Sequence, residues 1–343
     1  AGRSRKAMPN QDQVREASTG LLRAVLPPTR PGEGLSEAVA RVGSALDRDR
    51  TSPLLLSGLH GGTRALLLAG LFNDASSSLL AVTPDRESAD QLADDLETWL
   101  GASRVIHLPQ QEVLAFDHNS PEPALVGDFL AGLDRLRGGR RQLVVTSVYA
   151  MRQRVMDPAT LERAVLALAV GQRVDPDDLC TRLAQRGYRP AGMVAKVGDF
   201  ARRGGLLDIF TPDEEPLRVE FFDDEIVSVR RFDVESQRTT ERCEEALVLP
   251  VSHLLVDDDA VLSCLGRVEK ALADEFGADA DPDFLDDLEA RLEDRLADDG
   301  LETFLPWLGP TLALREDLLT DLLQVGRAEA EIETDAPHLG HQA

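Results

Sequence analysis

GDFARRGGLLDIFTPDEEPLRVEFFDDEIVSVRRFDVESQRT, residues Gly198 to Thr239, decides how this 343-residue chain is read. Three short runs rich in β-branched and aromatic residues stand out, Leu206–Phe210, Leu217–Phe222 and Glu225–Phe232. Thr-Pro-Asp-Glu-Glu-Pro and Asp223-Asp224 punctuate them, so the stretch predicts a small antiparallel sheet. Strand alternation sends Leu217, Val219 and Phe221 to one face and Arg218, Glu220 and Phe222 to the other. An aromatic ending a charged face, two strands away from Arg202-Arg203, has the composition of a protein-binding hot spot. The plainer alternative packs Phe222 under a loop and leaves the arginines solvated.

Working outward, Leu161–Ala169 reads as a strand, and Asp175 as the N-cap of a helix with Leu179, Leu183 and Ala184 on its apolar face. With Pro190–Phe200 these complete an α+β domain over residues 156–248. Upstream, residues 51–155 alternate strand and helix. The strands are Pro53–Ser57, Ser78–Val82, Val105–Leu108 and Gln142–Thr146; the helices are Arg64–Phe72, Arg86–Trp99 and Leu125–Leu136. Such alternation implies an α/β fold, a parallel sheet covered on both faces. Thr146–Tyr149 and Met151–Val155 read as the hinge between the two domains.

The first strand-to-helix turn, Gly58-Leu59-His60-Gly61-Gly62-Thr63-Arg64-Ala65, stands where a P-loop would stand. A working loop, G-x-x-x-x-G-K-[ST], needs a last glycine for close backbone approach, a lysine for the β/γ-phosphates and a hydroxyl for Mg²⁺. Thr63, Arg64 and Ala65 occupy those three places. The fold is therefore read as a degenerate P-loop, helicase-like domain, with weak anion binding at the helix N-terminus as the residual possibility.

Residues 1–50 read as two short amphipathic helices, marked by Val14, Ala17, Leu21 and Val25 and by Leu35, Val39, Val42 and Leu46. Residues 249–328 form an acidic, mainly helical segment, and within 257–302 there are 17 Asp/Glu against 4 Lys/Arg. Val261, Leu265, Val268 and Leu272 make one helical stripe; Phe284/Leu285, Leu288, Leu292 and Leu296 make another. The acids are then solvated faces, a reading that outweighs a nucleic-acid mimic. Leu254 to Asp258 reads as a strand or loop end with an Asp cap, and 329–343 as a tail or a cut end.

The net charge of −24 repels DNA, so any nucleic-acid role is expected to run through a partner. No run of 18 apolar residues occurs, so no membrane span is expected, and the start has no apolar h-region, so no secretory signal is expected. Cys180, Cys243 and Cys264 are odd in number and far apart, which suggests a reducing cytoplasm and neither a disulfide frame nor a zinc site. His60, His107, His118 and His253 are isolated and read as packed or solvated, so no catalytic or metal site is expected.

RGGLLDIF, LRVEFFDDEI and RRFDVESQR resemble, in order and spacing, the second domain of the UvrB homology module. That module occurs in the excision subunit UvrB and at the N-terminus of bacterial transcription-repair coupling factors, and the resemblance runs from about Ser52 to Gly309. The T-R-A turn, LPQQEVLAFDHNSP at 108–121 and GLETFLPWL at 300–308 are similar to the coupling-factor version. Only Glu122–Ala124 follow before the next helical run, which leaves no room for UvrB's DNA-clamping hairpin. The resemblance implies a non-catalytic recruitment module that binds UvrA, with Arg203, Arg218 and Phe222 matching the family's contact residues. It implies RNA polymerase and DNA as partners of a longer parent, whose separate motor uses ATP and Mg²⁺; this chain is expected to need no cofactor. The alternatives are a UvrB-like, ATP-dependent damage-verification helicase subunit and a stand-alone paralogue competing for UvrA.

Overall fold

A computed structural model describes residues 25–26, 35–48, 54–56, 59, 61–111, 121–156, 158–212, 215–255, 258–276, 283–293, 311–313 and 330–332. The α/β portion begins with β1 (Val25–Leu26), α1 (Leu35–Arg48), β2 (Leu54–Leu56), α2 (Thr63–Asp74), β3 (Leu79–Thr83) and α3 (Arg86–Leu100). It continues with β4 (Val105–Leu108), α4 (Pro123–Arg137) and β5 (Leu143–Ser147). β3 and β4 both pair in parallel with β5, in the order β3-β5-β4. Every residue of β5 is buried because each face has its own cover. Leu143 and Val145 pack with Ala65, Phe72 and Leu96 of α2 and α3, while Val144 packs with Phe129, Leu130 and Leu133 of α4. β2 lies in a separate three-stranded sheet, parallel to β1 and to the strand Ala330–Ile332.

Two sequence readings need correction. Val25 is not helical; it pairs in parallel with Leu55, and Pro27-Pro28 follow it at once, where a helix could not continue. The remaining markers of that first helix, Val14, Ala17 and Leu21, lie outside the described residues. In α1, Val39 and Val42 are buried as the periodicity requires. Leu161–Ala169 is not one strand. Pro158–Ala164 is a helix, α5, and only Leu166–Ala169 is a strand, β7, with β6 (Arg154–Met156) before them. Pro158 suits a first helical position, and Leu161 and Ala164 are buried three residues apart, a helical interval.

The second unit is a six-stranded sheet in the order β13-β12-β11-β10-β9-β8. Its strands are β8 (Arg189–Pro190), β9 (Asp199–Arg203), β10 (Leu206–Ile209), β11 (Leu217–Phe222), β12 (Glu225–Phe232) and β13 (Thr239–Cys243). β9 to β13 are antiparallel neighbours. On the inner face Leu207, Ile209, Leu217, Val219 and Val229 are buried against Leu179 and Leu183 of α6 (Pro176–Ala184). Full burial of each such side chain stabilises the fold by about 1.5–3 kcal/mol. Asp175 caps α6, its Oδ1 accepting from the Asp177 N–H at 2.7 Å. β7 pairs with β14 (Glu245–Val248), which brings the two ends of this unit together.

The two units meet closely. A Cβ at Gly127 of α4 would fall 2.7 Å from Pro212, and one at Gly198 would fall 3.0 Å from Pro123. Beside them His253 is buried, edge-on to Phe129 with ring centroids 5.7 Å apart, and its Nε2 contacts the Gln111 amide. Further along, α7 (Asp258–Phe276) and α8 (Phe284–Glu293) share a core of Val261, Cys264, Val268, Leu288 and Leu292. Glu269, Asp274, Asp286, Asp287 and Glu289 are exposed on these helices. Leu296, the 300–308 stretch and residues 112–120 lie outside the described residues.

Candidate interaction surface

The outer face of the six-stranded sheet gathers the residues singled out above. Cross-strand register places Arg203 opposite Leu206 and Leu206 opposite Glu220; the next row runs Ala201, Asp208, Arg218 and Arg230. Residues directly opposite share a face, so Arg203 of β9 and Arg218 of β11 lie on the same side, about 10 Å apart across two strand spacings and one row, about 7 Å, apart along the strands. Phe222 ends β11 and is 77% exposed. Leu206 and Val227 are exposed large apolar residues of the neighbouring strands. A β-bulge shifts the β11–β12 register between Glu220 and Phe221, leaving Val227 as the extra residue.

Backbone chemistry fixes this corner. Asp223-Asp224 is a two-residue hairpin turn, with Asp223 at φ +58°. The carbonyl of Asp224 accepts from the Val174 N–H at 2.8 Å, and the Arg173 guanidinium binds the Asp224 carboxylate at 3.1 Å. The β9–β10 turn, Gly204-Gly205, sits against β11: the Gly205 carbonyl accepts from the Phe221 N–H at 2.7 Å. A Cβ on Gly205 would stand 2.8 Å from the Phe221 carbonyl oxygen, so only glycine permits this approach.

Arg218 is not the freely solvated arginine that an outward position suggests. Its Nε donates to Asp208 Oδ1 at 2.7 Å and its Nη2 to Asp208 Oδ2 at 2.9 Å. Nη2 also donates to Gln237 Oε1 at 2.9 Å, and the guanidinium lies 4.3 Å above the buried Phe232 ring. The hydrogen bond to Asp208 raises the Arg218 pKa above the ordinary guanidinium value. Arg202 pairs with Asp177, and Arg230 with Glu220 at 2.8 Å. Arg203 is exposed at the strand end. The face thus combines an exposed aromatic, an exposed arginine and an arginine held in fixed orientation, a set suited to a partner with an apolar pocket flanked by acceptors.

Asp208, Phe232 and Gln237 were not singled out from sequence. Each lies inside the quoted blocks, LLDIF and RRFDVESQR, but the pairing of Asp208 with Arg218 depends on cross-strand register.

At the other candidate site, Gly61-Gly62 form the turn that opens α2, with Gly61 at φ +52°. Thr63 is exposed, Arg64 is half-buried, and Ala65 is fully buried and carries no oxygen for a cation. Asp95 Oδ2 lies 3.8 Å from where a Gly62 Cβ would stand, placing a carboxylate beside the turn. Gly58 lies outside the described residues. Among the described residues, no group of three His, Cys, Asp or Glu side chains is placed to hold a metal ion, and no helix is long and apolar enough to cross a membrane.

Residues 166–254 match the family model of the UvrB interaction domain. Transcription-repair-coupling factors are similar across a wider stretch. That of Myxococcus xanthus is 40% identical over 210 residues, covering 59% of this chain and 18% of that protein. That of Bacillus subtilis (strain 168) is 29% identical over 220 residues, covering 64% of this chain and 19% of that protein. That of Staphylococcus aureus (strain NCTC 8325 / PS 47) is 28% identical over 207 residues, or 60% of this chain. The chain therefore spans about 18–19% of the length of these relatives.

Proposed function

We propose, for a chain that carries a UvrB interaction domain and is related to the transcription-repair coupling factors, that it is a non-catalytic recruitment module binding UvrA. In this reading the module brings nucleotide excision repair to stalled RNA polymerase in the cytoplasm. Polymerase and DNA are engaged by other parts of a longer parent, whose motor consumes ATP with Mg²⁺. Residues 51–155, 156–248 and 249–328 act as its structural divisions.

The observation that carries the proposal is the shared face of Arg203, Arg218 and Phe222, with Phe222 exposed at the end of the strand that carries the fixed Arg218 guanidinium. All three fall inside the 166–254 match. The chain's charge of −24 supports recognition of a protein over direct DNA binding. The test is a titration of the full chain against purified UvrA, beside Arg203→Ala and Phe222→Ala. Hot-spot truncations of this kind cost about 2 kcal/mol or more, roughly a 30-fold loss. Absence of binding, or binding indifferent to both substitutions, overturns the proposal.

The second reading, an ATP-dependent damage-verification helicase subunit like UvrB, requires Mg²⁺-nucleotide at the turn opening α2. There Ala65, at the place of the metal-holding hydroxyl, is buried and has none, Thr63 stands where the loop needs its last glycine beside Gly61 and Arg64, and the Asp95 carboxylate beside the turn opposes phosphate. Saturable, Mg²⁺-dependent ATP binding at micromolar concentration would restore this reading.

A further inference from the structure

Gln237 sits at φ +57° in the left-handed region that side-chain-bearing residues seldom occupy. The turn that holds it is closed by the Gln237 N–H to the Asp233 carbonyl at 2.8 Å, the Asp233 N–H to the Arg238 carbonyl at 3.0 Å, and the Ser236 N–H to Asp233 Oδ1 at 2.8 Å. A glycine would take this backbone without strain. Both ends of the glutamine amide are used instead: Nε2 donates to the Val234 carbonyl at 2.8 Å, and Oε1 accepts from Arg218 Nη2 at 2.9 Å. Strain accepted at a single side chain, whose free end reaches a binding residue, marks a positioning role.

Resting on the reading of Arg218 as a partner contact, we propose that Gln237 is the positioning residue that aims its guanidinium. Asp208 takes Nε–H and one Nη2 hydrogen, Gln237 takes the other, and Phe232 supports the plane from below. Nη1 is the edge left for the partner, so the partner supplies a carboxylate or carbonyl there. Without Gln237 the plane keeps Asp208 but loses the contact that stops it rocking on the Phe232 ring.

The experiment uses the full chain as wild type, Gln237→Gly, Arg218→Ala and the double variant. It reads thermal unfolding, titration with purified UvrA, and the NMR signal and hydrogen exchange of Arg218 Nε–Hε. Gln237→Gly is expected to melt within a few degrees of wild type, to bind UvrA about tenfold more weakly, and to show faster Nε–Hε exchange. The tenfold loss is expected to vanish in the Arg218→Ala background, since positioning has no meaning without the positioned group. Collapse of stability in Gln237→Gly overturns the assignment by making the residue structural. So does unchanged affinity while Phe222→Ala still weakens binding. If wild type does not bind UvrA, the recruitment reading falls separately, and the NMR comparison decides alone: identical Arg218 signals in wild type and Gln237→Gly overturn positioning, and faster exchange in the variant upholds it.

Discussion

The guanidinium carbon of Arg218 lies 4.3 Å above the centroid of Phe232, a ring with no exposure to solvent. Cation–π contact of this kind contributes about 0.5–2 kcal/mol, more as water is excluded. It turns a residue at a sheet surface into part of a small second core, formed with Val194, Ala201 and Phe210 on the face opposite the main one. The same side chain is thus both a fold element and a contact candidate, and substitutions around it separate the two roles.

Removing Asp208 tests the fold element. Its side chain is 6% exposed and holds two guanidinium nitrogens. Deleting one member of a buried pair typically costs 3–5 kcal/mol; the partial exposure of Arg218 reduces this to about 2–3 kcal/mol for Asp208→Ala. Urea denaturation would show the lowered midpoint. A variant as stable as wild type would mean that Arg218 re-solvates freely.

Gly205→Ala tests the turn beside Phe222. The added methyl meets the Phe221 carbonyl, a backbone group that cannot swing aside. The expected cost is about 1–3 kcal/mol. Because the same turn braces the strand end, UvrA affinity should fall together with stability, whereas Phe222→Ala should lower affinity alone. Unchanged stability in Gly205→Ala would show that the turn yields.

His253 gives the junction a pH dependence. Burial lowers its pKa from 6.5 to about 4. The unfolded chain therefore binds the proton more readily than the folded one. The stability linked to His253 is fully present above pH 6.5 and is lost as pH falls towards 4. At pH 5 the linked loss is on the order of 2 kcal/mol. Denaturation midpoints at pH 7.5 and pH 5 should differ more for wild type than for His253→Gln. Equal differences would show that the carboxylates account for the whole effect.

Much of the sheet was legible in sequence. Leu217, Val219 and Phe221 alternate with Arg218, Glu220 and Phe222, and a strand must send such residues to opposite faces; the observed burial follows that order. Turn chemistry at Asp223-Asp224 fixed where the hairpin closes. The Leu161–Ala169 misreading came from a short apolar run in which helix and strand spacing look alike until Leu161 and Ala164 are seen on one side. Arg218's partners were not legible, because Asp208 and Gln237 reach it through register and a left-handed turn, neither of which leaves a local signature. Phe222 was legible as an outward residue; its exposure was not, since whether a loop covers it depends on chain far from it.

The glycine–proline contacts at Gly127 and Gly198 have a mechanical consequence. With no side chain in the way, Pro212 bears directly on the α4 backbone, and Pro123 on the turn before β9. At both points a turn of one unit against the other would drive a proline ring into backbone. A load applied at Phe222 passes along β11 and its neighbours into α4, and from there into the parallel sheet beneath. The Phe222 face is thereby oriented against the parallel sheet through two contacts made at backbone level.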